Sequence, residues 1–378
     1  MVDGVTIGLI LAAVAGGAFG AAIGALPAFT FTGVLVIVGE TLAIARTEGA
    51  TGTVAGVDVT ATIAFGPAFG PHVSFGGGAA AVAYAAKRGY IEPEFEYHPA
   101  KYITTGLGMR PDVLLVGGLF GVLGHLVFTV SQATSLPWDP VAFGVVVSAF
   151  AHRIAMGYTV VGNPAGGWWD MTPFERSTRR RSSAVRRTEK TTDGGADRSR
   201  GSSDRAFESR NRQSGSTGRS VVEPWLAHQY QWTHVIGIGI VAGLLGAFIA
   251  FQTGSAFLAF GISAASLAFM TAGVDRIPVT HHITLPASTI VLAVVPATAH
   301  QSAPVVVAGS IGLGEALVLG ALIGVIGALL GELAQRVCYA HAETHFDPPA
   351  ASIVLTTLLI ALLSFAGVLP HAAWIPVP

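Results

Sequence analysis

Ten apolar stretches, set apart by charged, polar or proline residues, dominate the 378-residue chain. They run at about 5–25, 28–45, 72–86, 112–131, 138–157, 234–252, 255–272, 282–300, 314–337 and 350–369. A helix needs about 20 apolar residues to cross a bilayer, and most of these stretches approach that length. Charged residues make up only 11% of the chain, against about 25% in soluble proteins. The expected fold is an all-α polytopic membrane protein of about ten transmembrane helices. The opening "MVDGVTIGLILAAVAGGAFG" lacks a basic n-region and reads as a first membrane helix rather than a cleaved signal peptide.

Charge divides the chain. Residues 176–219 hold 13 Lys or Arg and 5 Asp or Glu, whereas the remainder holds 8 and 17. The stretch 176–220 is rich in Arg, Ser and Gly, too polar to bury a core, and is expected to be disordered. It centres a linker, 158–233, between a first membrane unit, 1–157, and a second, 234–378. With the N-terminus outside, the inner loops hold Lys87, Arg88, Lys101, Arg110, the linker, Arg276 and Arg336, and the outer loops only Arg46. The positive-inside rule then puts both termini outside the plasma membrane and the linker in the cytoplasm.

The units repeat. Asp139-Pro140 aligns with Asp347-Pro348 at an offset of 208, Gly124-His125 with Gly331-Glu332 at 207, and His72 with His282 at 210. Five spans per unit is an odd number, so the second copy enters the membrane upside down. This is the inverted repeat of many secondary transporters, whose sites lie at paired broken helices. "FGPAFGPHVSFGGG", 65–78, is one such interruption, and "PVTHHITLPAS", 278–288, is its counterpart. Proline removes a backbone donor within a helix, and non-helical backbone in a bilayer must be buried or line a cavity. Broken or re-entrant segments are therefore expected near 57–78 and 276–288. Gly66, Pro67, Gly70, Pro71, His72, Ser74, Thr280, His281, His282 and Thr284 are the candidate substrate-binding residues, with His72 and His282 facing each other. A proline-kinked helix with packed histidines is the plainer reading.

Glu40 lies inside the second stretch and His125 inside the fourth. Ionisable groups within spans are costly and call for a partner or a role, so these two are the candidates for proton or cation coupling. Glu40 could also snorkel toward Arg46, and His125 could be a packed hydrogen-bonding group. Glu332 and Arg336 stand four apart and suit an ion pair within one helix. Asp139 and Asp347, each followed by Pro, read as helix N-caps. Glycines four apart at Gly16, Gly20 and Gly24, at Gly117 and Gly121, and at Gly320 and Gly324 read as packing seams. "HAETHFDP" brings His341, Glu343, His345 and Asp347 together as a conceivable metal cluster, but a polar inner loop is the simpler reading, so no metal site is assigned. Cys338 is the only cysteine, which excludes an internal disulfide. No phosphate-binding loop is present, and no cofactor or nucleic-acid partner is expected.

"GAAIGALPAFTF", 20–31, resembles the glycine–proline segments of the large membrane subunit of tripartite tricarboxylate carriers, which implies an anionic substrate. The architecture is similar to inverted-repeat secondary transporters as a class. The function expected is a permease for a small solute, working by alternating access with a coupled proton or cation. The partners are the bilayer, the solute and, where the protein self-associates, a second copy of the chain. The alternatives are a channel, an intramembrane metal-dependent enzyme and a scaffold acting through its basic linker.

Overall fold

The computed structural model describes residues 6–47, 57–92, 97–164, 166–176, 222–296 and 304–377. The linker segment read as disordered, 176–220, falls outside these residues except for Arg176. Among the described residues all regular structure is helical. The first half comprises α1 (Ile7–Ile23), α2 (Ala25–Thr47), a π-helical turn (Thr60–Ala64), α3 (Ser74–Lys87), α4 (Pro111–Ala133) and α5 (Pro140–Met156). The second comprises α6 (Trp232–Thr253), α7 (Leu258–Ala265), α8 (Leu267–Thr271), α9 (His281–Ala293), α10 (Pro304–Ser310), α11 (Leu313–Ala334, continued by a π turn to Tyr339) and α12 (Pro348–Phe365).

Five helices are long and apolar enough to cross a membrane: α2, α4, α6, α11 with its π turn, and α12. Their outer faces expose Val34, Leu115, Leu119, Val241, Leu322 and Leu362, surface that water disfavours and lipid accepts. The chain is thus consistent with a helical membrane protein. Helices α1 and α5 are apolar but 17 residues long, and α7 with α8 spans only Leu258–Thr271. Overlapping the stretches at 72–86 and 282–300 lie α3 and α9, of 14 and 13 residues. At 1.5 Å per residue these reach only about 20 Å. They lie inside the bundle: all of α9 and most of α3 is buried.

The first expected interruption, near 57–78, is present, but the second holds only for 276–280: residues 281–288 lie within the continuous helix α9, which takes Pro286 into its interior. Residues 65–73 form bends and turns between the π turn and α3. On the other side, Gly273 ends α8 at φ +82°, a conformation glycine adopts without a Cβ penalty, and turns lead to α9. Asp139 caps α5 by accepting from Val141 N and Ala142 N, and Asp347 caps α12 by accepting from Ala350 N.

Helix adjacency is the same in both halves. Helix α1 packs on α3 and α4, α3 on α4 and α5, α4 on α5, and α2 on α1 and α3. Correspondingly, α6 packs on α9 and α11, α9 on α11 and α12, α11 on α12, and α7 on α6 and α9. The halves meet chiefly through α2 against α7 and α5 against α12.

The glycine seams make these crossings close. A Cβ on Gly117 would stand 2.6 Å from the Gly17 carbonyl oxygen and 2.7 Å from Ala21 Cβ, and one on Gly320 would meet the Gly243 oxygen at 2.7 Å and also Ala247 Cβ. Gly124 lies against the His72 carbonyl oxygen, and Gly327 against that of His282. The packing counterpart of Gly124 is therefore Gly327, one turn before the Gly331 of the sequence alignment. A glycine every three or four residues lets such helices align equally well one turn out of step.

Candidate functional site

A chamber of about 400 Å³ lies between the halves. Phe29, Phe65 and Phe75 from the first half and Phe257, Phe260 and Trp374 from the second form much of its wall. Its polar groups are Thr60, Thr104, Gln132, Tyr97 and Tyr339, the carboxylates Asp58, Asp139 and Asp347, the imidazoles His281 and His345, and Lys101. A concave, aromatic pocket with sparse polar groups is the usual form of a small-molecule site.

Lys101 is already committed. Its ammonium lies 2.7 Å from Glu223, both side chains fully buried, and donates to the Tyr339 carbonyl at 2.9 Å. The same ammonium stands 4.3 Å from the Tyr339 ring centre. Glu223 also accepts from His98 N at 3.1 Å, and Tyr97 donates to the Pro224 carbonyl at 2.8 Å. Burial and the nearby Glu223 carboxylate push the Tyr97 hydroxyl well above its ordinary value.

Arg153 forms a second buried junction. Its guanidinium donates to Thr344 Oγ1 (2.8 Å) and to the carbonyls of Val160, Cys338 and Thr344. In a third, Arg336 pairs with Glu332 at 2.5 Å and donates to the carbonyls of Trp169 and Tyr230. Together these join 97–102, 158–170, 222–231 and 335–346 at one end of the bundle. Sequence spacing disclosed the Glu332–Arg336 pair but not Lys101–Glu223 or the partners of Arg153. The one available signal was a charge set inside or beside an apolar segment.

The expected site residues divide. Pro71 and His281 line the chamber. The His281 ring packs 4.7 Å from Phe29 and 5.7 Å from Phe260. His72 and His282 do not face each other across it. His72 is fully buried, stacked on Phe128 at 4.7 Å, and neither ring nitrogen has a hydrogen-bond partner among the described residues. His282 packs against Trp225 at 6.4 Å beside Gly331. Gly66 and Gly70 shape the turn before α3, where Gly70 N donates to the Gly66 carbonyl. Ser74 donates to the carbonyls of Phe69 and Gly70. Pro67 is half-buried in that turn, Thr280 stands at the N-cap position of α9, and Thr284 donates to Ser263 Oγ.

Glu40 does not snorkel toward Arg46, which donates instead to the Val57 carbonyl. Its carboxylate is fully buried and accepts from Thr60 Oγ1 at 2.7 Å and Ser255 Oγ at 2.5 Å, joining α2, the π turn and the entry to α7. His125 is buried on α4 beside Gly124, and its carbonyl accepts from Thr129. The four residues of "HAETHFDP" do not converge on one point: His341 turns to the Trp168 carbonyl, Glu343 to Thr159, and only His345 and Asp347 approach each other, at 3.7 Å. Burial holds the His345 imidazole below its ordinary value despite the carboxylate. Among the described residues no group of three or more such side chains could hold a metal ion.

No curated protein and no solved structure matches the chain. Residues 1–378 match in full the family described as a family of unknown function, DUF7973, and the chain belongs to that family.

Proposed function

We propose that the protein is a multi-pass membrane permease that carries a small solute through the chamber by alternating access. One observation carries the reading: two halves with the same helix adjacency both contribute walls to the chamber between them. Matched adjacency on either side of α2–α7 and α5–α12 is what an inverted repeat of five helices per unit would leave. The short helices α3 and α9, inside the bundle at equivalent positions, serve as the half-membrane elements of the two repeats, preceded by the broken segments at 65–73 and 272–280. Pro71 and His281 contact the solute directly. His72 and His282 hold the backbone behind them.

Glu40 is the coupling group. A carboxylate held by two hydroxyls, one from each half, changes its grip on the second half when it takes up a proton or a cation. The end of the bundle gathered by Lys101, Arg153 and Arg336 is the cytoplasmic one, as the positive-inside rule requires.

The test uses cysteines placed in the chamber wall, one from each half. Ala142→Cys and Ala350→Cys are made separately in a Cys338→Ala background. Each is treated with a membrane-impermeant thiol reagent in right-side-out and in inside-out vesicles. Slow labelling of both from either side, with the two rates shifting in opposite directions as the proton gradient is reversed, is the expected result. Fast labelling from both sides at once fits a channel. Labelling from one side alone under every condition contradicts the permease.

A further inference from the structure

We propose that the chamber's solute is a small organic cation, an aryl- or alkylammonium ion, held between aromatic faces and a carboxylate at either end. This rests on the permease reading of the same chamber and adds the charge of what it carries. The resemblance at 20–31 and the free N–H groups of helix N-termini both point to an anion. Two N-termini at the chamber, those of α5 and α12, are already filled, whereas that of α9, at His281, has no side-chain cap. Asp139 occupies that of α5 through Oδ1, and Asp347 that of α12 through Oδ2.

The remaining charge inventory favours a cation. Three carboxylates line the chamber, while Lys101, the one Lys or Arg among the described lining residues, carries its own counter-charge in Glu223. Asp139 is only 6% exposed, yet its second carboxylate oxygen makes no hydrogen bond with a described residue. Among the described residues, Nδ1 of His281, a residue 4% exposed, and both nitrogens of the buried His345 have no hydrogen-bond partner. An open carboxylate oxygen in a chamber wall is satisfied by a ligand that donates, and each neutral imidazole adds one acceptor beside its one donor. Phenylalanine and tryptophan faces attract cations through the ring quadrupole, most strongly when water is excluded.

The carboxylates are also placed symmetrically. Asp139 N donates to Thr357 Oγ1 on α12 at 3.0 Å. Thr357 is ten residues along the chain from Asp347, or about 15 Å along a helix. One half thus supplies an acid toward one end of the chamber and the other half an acid toward the opposite end. A cation meets a counter-charge from whichever side it enters.

The test is a calorimetric titration of the purified full-length protein at neutral pH with three isosteric probes: 2-phenylethylammonium, 3-phenylpropionate and 2-phenylethanol. The ammonium is expected to bind at least about tenfold more tightly than the other two, a difference of one strong charge contact. Asp139→Asn and Asp347→Asn should each weaken the ammonium about tenfold and leave the alcohol unchanged. Asparagine caps helices as well as aspartate, so thermal unfolding of both variants should match the parent, which separates lost charge from lost fold. Phenylpropionate binding as tightly as the ammonium, an unchanged ammonium affinity in both variants, or no binding of any probe overturns the cation. Uptake of the ammonium into proteoliposomes, against protein-free vesicles, separates the two readings. Binding without uptake removes the permease and keeps the cation, and uptake preferring phenylpropionate does the reverse.

Discussion

Lys101→Met is expected to destabilise the protein by about 3–5 kcal/mol, because it strands the Glu223 carboxylate in a fully buried site. The effect is large because the pair joins three remote parts of the chain: the 97–101 loop, the last part of the linker at Glu223 and Pro224, and the π turn at Tyr339. Desolvating the two charges consumes much of what their attraction returns, so removing both should cost far less than removing one. Glu223→Met in the Lys101→Met background should restore most of the loss. The double-mutant cycle, read by denaturant unfolding in detergent, should therefore show a coupling of at least about 2 kcal/mol. Additive losses would mean that the two residues act separately.

Gly17→Leu should be as damaging, for a steric reason. At the crossing of α1, α3 and α4, a Cβ on Gly17 would meet the Gly117 carbonyl and lie 2.9 Å from Gly121 Cα, and one on Gly77 would lie 2.8 Å from Gly17 Cα. The obstacles are backbone atoms, which cannot rotate away as a side chain would, so the helices must part. Overpacking commonly costs about 1–3 kcal/mol, and a branched side chain against two rigid helices should exceed that range. The expected outcome is loss of monodisperse protein on size-exclusion chromatography. Gly314→Ala on α11 is the control. Nothing lies within 4 Å of its added methyl, so it should be neutral or stabilising by up to about 1 kcal/mol. Equal behaviour of the two variants would contradict the seam.

Features set by local sequence were legible before any coordinates. The Asp-Pro pairs at 139 and 347 became N-caps, Glu332 and Arg336 paired at one helical turn, and the prolines at 67 and 71 broke the chain where a helix was due. The glycine spacing disclosed the seams but not their register, because a small residue one turn away packs almost as well. The chamber was less legible, since its wall is set by which helices cross. His281 reaches it while its neighbour His282 turns to Trp225. The partners of Glu40 lie 20 and 215 residues along the chain, and no periodicity relates them.

The central claim is that two like halves stand in opposite orientations about the chamber. The connection between α3 and α4 and that between α9 and α11, which contains α10, hold equivalent places in the two halves. Arg88→Cys and Ser310→Cys, each made in the Cys338→Ala background and each exposed, report on the side to which each connection faces. In intact cells an impermeant maleimide should label Ser310→Cys and spare Arg88→Cys until the membrane is opened. Labelling of both from the same side would contradict the inverted pair and the alternating-access mechanism built on it.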